Sequence, residues 1–203
     1  MIKLVVAFAF CIILIDTAHA QRGGLIYYLK DSGKLVQSKD SADYSMVVLP
    51  PDISVDKNLF VVYEYGKNGK VRLVTNSKTN DVHLKYDGHF ISYYANGKKK
   101  ATGTFENGKA IGKEVGYYPN GNLFYVENRK ADGKIFYQEC RDSTGKTLAV
   151  NGSGNWIQFD DEFKNAVAEG KVDSGREDGV WHLVNNGTTK VENNYKKGEL
   201  IYS

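Results

Sequence analysis

Apolar and polar residues alternate along this chain in short runs, and nowhere does a long apolar stripe hold helical spacing. In FISYY, alternation puts Ile91 and Tyr93 on one side of a strand and Phe90, Ser92 and Tyr94 on the other. Such runs end in Gly, Asn or Asp, the mark of hairpins. The pattern also repeats. Ile91, Tyr93 and Tyr94 return as Val115, Tyr117 and Tyr118 after about 24 residues, and Gly154-Asn155-Trp156 returns as Gly179-Val180-Trp181. A second element, Phe105-Glu106-Asn107-Gly108 and then Gly112, resembles Val172-Asp173-Ser174-Gly175 and then Gly179, with a further copy at Tyr195-Lys196-Lys197-Gly198. The unit is therefore a strand, an Asn-Gly-like turn, a returning strand and a glycine-bounded connection. Asn96-Gly97, Asn120-Gly121 and Asn186-Gly187 predict two-residue type I′ turns. A lone hairpin cannot bury its apolar face, so each must lean on the next. Stacking at this period sets Tyr93 beside Tyr117 and Trp156 beside Trp181.

Three segments depart from the pattern. DEFKNAVAE, residues 161–169, is the one helix candidate, although its Phe163 and Val167 suit a strand as well. The amino-terminal part, residues 21–58, reads as a diverged hairpin at Tyr27-Tyr28 and Asp31-Ser32-Gly33-Lys34, followed by a long surface loop. Within that loop Pro50-Pro51 forbids a central strand, which leaves MVVL an edge position and makes the segment the place to meet a partner. In IFYQEC, alternation puts Phe136, Gln138 and Cys140 on one strand face. Residues 59–203 then form the repeat region.

Residues 1–20 have the form of an export signal. Lys3 is followed by an apolar run from Leu4 to Ile15 and by the small-x-small site Ala18-His19-Ala20. Phe10 before Cys11 argues against lipid attachment there. Past the signal no run is long enough to span a membrane as a helix. One cysteine, Cys140, remains after the signal, so no internal disulfide is expected and the chain must rely on sheet pairing and burial. The net charge of +3 comes from interspersed lysines and acids, without the concentrated basic face of a nucleic-acid binder.

The stretches DGHFISYYANGKKKATGTFENGKAIG, KEVGYYPNGNLFYV and SGREDGVWHLVNNGTTKVENNYKKG share recurring Gly and aromatic positions. This pattern resembles the variant MORN repeat, common in exported Bacteroidota proteins that often carry a YwqK-family antitoxin label. It covers residues 86–203, and more faintly 63–73. The resemblance implies an all-β, elongated antiparallel meander of successive hairpins in a single twisted sheet, with no shared catalytic residues. With the export signal, it also implies a place in the periplasm or at the surface of a Gram-negative cell. A TonB-like domain that often follows the module in related chains is not expected here. Arg129 departs from the pattern, standing where an apolar residue is expected, and so does CRDST before Gly145.

Candidate chemistry is sparse. His83, His89 and His182 lack metal-ligand spacing, and Asp160-Asp161-Glu162 lacks the alternation of a calcium loop. No nucleophile elbow or phosphate loop is present, so no enzyme activity, metal or cofactor is expected. The expected function is that of a protein-binding scaffold in the cell envelope, with Tyr94, Tyr118 and Trp181 as exposed contact residues on a rigid sheet. The alternative is binding of anionic lipid or glycan by Lys98, Lys99 and Lys100. Lys98 belongs to a set (Lys34, Lys70, Lys98, Lys109, Lys134 and Lys146) that follows turn glycines and equally suits solubility and edge protection. A second alternative is an antitoxin-like role with a partner protein.

Overall fold

The computed structural model describes residues 23–161, 163–185 and 189–203. The export-type segment, Glu162 and the residues of the turn expected at Asn186-Gly187, 186–188, lie outside them. Among the described residues there are sixteen strands and one single-turn 3-10 helix, Lys39–Ser41. The expected all-β hairpin meander is present: the strands form one antiparallel sheet in which neighbours in sequence are neighbours in space. The exception is at the amino-terminal end, where the first strand lies between the second and the third. The chain falls into two compact units, residues up to Lys98 with Thr104–Lys109, and Lys99–Gly103 with Ala110–Ser203.

The first unit holds β1 (Leu25–Leu29), β2 (Leu35–Val36), β3 (Tyr44–Leu49), β4 (Phe60–Gly66), β5 (Val71–Ser77) and β6 (Gly88–Tyr93), with the hairpin end shared by β7 (Lys99–Glu106) and β8 (Lys109–Tyr117). The expected hairpin at Gly33 joins β1 to β2. The long loop is a different matter. Its MVVL belongs to β3, an interior strand paired with β1 on one side and β4 on the other. Pro50 falls one residue past the end of β3, so it removes no ladder bond, and Met46, Val47 and Val48 are buried. Leu29, Met46, Val48 and Val62 make the core here. Val82, Leu84 and Tyr86, from the connection between β5 and β6, pack against it. That connection is pinned by Tyr27 Oη donating to the Asn80 carbonyl at 2.8 Å.

The second unit holds β9 (Leu123–Arg129), β10 (Ile135–Arg141), β11 (Thr147–Val150), β12 (Ser153–Phe159), β13 (Ala166–Asp173), β14 (Arg176–Asn185), β15 (Thr189–Lys196) and β16 (Glu199–Tyr202). The helix candidate is the loop into β13 and β13 itself. Asp160 folds that loop, its carboxylate accepting from the Lys164 and Asn165 amides, and Val167 continues as strand. The face expected for Cys140 is also corrected. The register of β10 slips between Tyr137 and Glu139, so the bulge turns Tyr137 and Cys140 both inward while Gln138 is exposed.

The turn chemistry differs from the expected type I′ at Asn96-Gly97 and Asn120-Gly121. There the glycine alone has positive φ. Gly97 donates to the Tyr94 carbonyl and Tyr94 to the Lys98 carbonyl, as Gly121 and Tyr118 do with Tyr118 and Asn122. This is a type I turn closed by a glycine bulge. Asn96 and Asn120 act through their side chains, each accepting from the amide two residues on. Among the described residues the turns with two positive-φ residues are at Asn107-Gly108, Asn151-Gly152, Ser174-Gly175 and Lys197-Gly198. They serve to dock one hairpin on another. Gly175 N donates to Gly152 O (2.9 Å), Gly152 N to Gln138 O (2.9 Å), and Tyr137 N to Gly175 O (3.0 Å).

Gly152 has φ +79°, and a Cβ there would lie 2.6 Å from the Gly175 amide nitrogen. Gly133 has φ +88° with nothing near a Cβ. Gly133→Ala is expected to cost about 1–2 kcal/mol of unfolding free energy from backbone strain alone. Gly152→Ala, which must also push backbone off backbone, is expected to cost about 3–4 kcal/mol in urea titrations. Equal losses for the two would contradict the docking.

Candidate functional site

The second unit buries a row of rings on one face of its sheet. Trp156 and Trp181 both stand opposite Gly170, on the two strands that flank it. A Cβ at Gly170 would come 2.4 Å from Trp181 Cγ, so the indole occupies the room that glycine leaves. The indole Nε1 donates to the Lys171 carbonyl at 2.8 Å. Tyr137 lies against both indoles, with ring centres 4.5 Å from Trp156 and 5.8 Å from Trp181. Its hydroxyl donates to Glu177 at 2.8 Å. The two tryptophans are thus bridged by a third ring instead of lying side by side as the repeat offset suggests. Tyr118, Phe124, Phe159 and Phe163 form a second group of rings, with Tyr118 donating to the Arg141 carbonyl.

Tyr118 and Trp181 therefore do not present a surface. They are 4% and 3% exposed and serve as core. The expectation of exposure fails because a one-layer sheet has only its own rings with which to build an interior. Tyr94 is partly buried at a turn. Lys98 and Lys99 are exposed, while Lys100 pairs with Asp161 at 2.8 Å. Strand alternation sets Lys34, Lys70 and Lys98 at one end of the first unit and Lys109 at the other, and likewise separates Lys134 from Lys146 in the second.

A buried polar constellation was not anticipated from the sequence, apart from the oddity of Arg129. Glu114 on β8 stands directly opposite Glu127 on β9, and Glu127 stands opposite Tyr137 on β10. Two facing carboxylates repel, and Arg129 lies between them. Its Nε donates to Glu114 Oε2 at 2.9 Å, and its Nη2 lies 2.6 Å from Glu127 Oε1. Tyr125, whose ring covers Gly116, donates to Glu114 Oε1 at 2.6 Å. The first unit repeats the arrangement with different residues. Tyr86 donates to Glu64 Oε1 at 2.6 Å, and Arg72 Nε reaches Glu64 Oε2 at 3.2 Å. Arg72 also stacks on Tyr44 and meets Asp31.

In both places a glutamate is held by a tyrosine hydroxyl on one oxygen and an arginine on the other. Burial raises the Glu64 carboxyl, offset by Tyr86 and Arg72. Burial also raises the hydroxyls of Tyr86, Tyr125 and Tyr137, helped by the glutamate each one faces. Glu127 is the extreme case. It is 3% exposed, and its Oε1, although close to Arg129, makes no hydrogen bond. Burial pushes it up to about 7, Arg129 opposes the rise and Glu114 adds to it. The Cys140 thiol is fully buried and pushed up to about 11, which suits an inert core residue.

At the surface the segment after β3 stands out. Asp52 Oδ1 accepts from the Ser54 amide (2.9 Å) and hydroxyl (2.6 Å), the Asp52 carbonyl accepts from the Val55 and Asp56 amides, and Asp56 accepts from the Asn58 amide. This braced loop holds Ile53 and Val55 out in solvent, 88% and 78% exposed. Among the described residues no three His, Cys, Asp or Glu side chains gather as a metal site, and no helix is long and apolar enough to cross a membrane. Comparisons of the chain with protein-family models, with characterised proteins and with solved structures find no match.

The raised Glu127 has a definite consequence for stability. The unfolded carboxyl titrates near 4.5 and the folded one near 7, so its contribution is complete below pH 4.5 and is lost as pH rises through 7. Ionising it in place costs the folded state roughly 3 kcal/mol. Glu127→Gln removes that dependence. Urea unfolding should therefore show the variant gaining on the parent by roughly 3 kcal/mol between pH 4 and pH 8. The same difference between the two proteins at both pH values would contradict the assignment.

Proposed function

We propose that the chain is a non-enzymatic, exported scaffold that binds another protein in the cell envelope. The observation that carries this reading is the braced loop at residues 50–58. β-branched side chains held almost wholly in water by an internal hydrogen-bond frame gain nothing for the fold, and their fixed geometry lowers the entropy lost on docking. The export-type segment at residues 1–20 supports the location. The inward use of the glutamates supports a non-catalytic role. Glu64 and Glu114 have both oxygens engaged by tyrosine and arginine, and Glu127 is sealed beneath Tyr137 and Arg129. The contact residues in this reading are Ile53 and Val55, with Tyr94 the one member of the original aromatic set left near the surface.

The test is site-specific photo-crosslinking from position 57, an exposed site on the same loop, in intact cells, with identification of the adduct. A discrete protein adduct, lost when Ile53 and Val55 are both changed to Ser and unchanged when Val150 is, is the expected result. Because both residues are exposed, the double variant should unfold within about 0.5 kcal/mol of the parent. No adduct, or one that survives the double change, would refute the reading.

A further inference from the structure

Two turns and the start of a strand in the second unit converge on a cavity of about 270 Å³. The turn before β10 contributes Gly133 and Lys134, the start of β14 contributes Arg176 and Glu177, and the turn before β16 contributes Lys197, Gly198 and Glu199. Ile135 and Phe136 complete the wall. We propose that this cavity binds an acidic sugar residue, a hexuronate, with its carboxylate on Arg176, Lys134 and Lys197 and its hydroxyls on Glu177 and Glu199.

The charge arrangement argues for an anion. Arg176 and Lys130 both lie over the Phe136 ring, at 5.1 and 5.4 Å from its centre. The ring holds them in place without neutralising them. Among the described residues neither they nor Lys134 and Lys197 make an ion pair, whereas Arg72, Arg129 and Arg141 all do. Among the described residues the one hydrogen bond that the Arg176 guanidinium donates is long, 3.5 Å, from Nη1 to the Lys197 carbonyl. Its guanidinium keeps donors in the fork that suits a carboxylate.

The acceptors argue for a sugar instead of a bare oxyanion. Glu177 Oε1 is taken by the Tyr137 hydroxyl, but Oε2 faces the Gly198 turn and accepts no hydrogen bond among the described residues. Glu199 is exposed on the same wall. A phosphate or sulfate ion would meet those carboxylates with repulsion. A ligand with both a carboxylate and hydroxyl donors satisfies the two sets together. The site is built before the ligand arrives. Gly198 N donates to the Glu177 carbonyl (2.8 Å), and Tyr137 fixes Glu177 from beneath. The cavity is far along the chain from the loop at residues 50–58, and the inference does not rest on the protein-binding reading.

Calorimetry or NMR titration of the full chain with glucuronate, glucose, inorganic phosphate and a glucuronate oligomer tests it. Saturable glucuronate binding that weakens with salt, with no binding of glucose or phosphate, is expected. Tighter binding of the oligomer would point to a polysaccharide source, and equal binding to the free sugar acid. Arg176→Gln and Lys197→Gln are each expected to weaken glucuronate at least about tenfold. Lys197→Gln provides the reading if loss of the Phe136 stack unfolds the first variant. Absence of glucuronate binding, binding by phosphate as strong as by glucuronate, or a folded Lys197→Gln that binds like the parent would each overturn the proposal.

Discussion

The strand β10 lacks a neighbour along half of one side, and much of the second unit follows from that vacancy. On one side β10 pairs with β9 from Ile135 to Cys140. On the other, the short β11 reaches only Cys140 and Arg141. The backbone groups nearer the start of β10 would be left unpaired as the structure closes, which costs more than any single side-chain contact returns. Two turns fill the gap, with Gly152 donating to Gln138 and Gly175 accepting from Tyr137. Those bonds require close approach of backbone to backbone, which only glycine allows at Gly152. By drawing β10 toward β14 they also bring Tyr137 onto Trp156 and Trp181. A single layer of strands gains a core because it closes on its own aromatic face.

The first unit solves the same problem by other means. Its core strands β1, β3 and β4 are covered by Val82, Leu84 and Tyr86 from the connection between β5 and β6. Its buried glutamate nevertheless takes the same form, with a tyrosine on one oxygen and an arginine on the other. Rings packed over glycine, as Tyr125 over Gly116 and Trp181 over Gly170, are the local device that lets large residues lie flat on a sheet. Both devices turn the functional-looking residues inward. The proposed contacts, Ile53 and Val55, lie instead on a loop.

The alternation, the glycine-bounded turns and the aromatic period were enough to read a hairpin meander from the sequence, because each acts within a few residues. The use of each face was not legible. Tyr118 and Trp181 have the composition of contact residues, and only packing between strands shows that they line an interior, Trp181 where β10 closes on β14 and Tyr118 against Phe159 and Phe163. The bulge at Tyr137 and Glu139 depends on a ladder partner, so simple alternation misassigned Cys140. Asn96-Gly97 carries a two-residue turn signal, but the side chain of Asn96 diverts it into a longer loop. Pro50-Pro51 suggested an edge because a proline's position relative to a strand end is not fixed by sequence. Arg129 was visible as a departure, yet its meaning lay in Glu114 on a neighbouring strand.

Amide hydrogen exchange at Tyr137, Gly152 and Gly175 tests the closure most directly. If these three bonds hold nonadjacent strands together, their amides should exchange only with unfolding of the second unit, as slowly as the amides of β13 and β14. The amide of Gly133, bonded only within its own turn, should exchange far sooner. Exchange at Gly152 and Gly175 as fast as at Gly133 would mean that the turns do not dock, and that the aromatic row is not held closed by them.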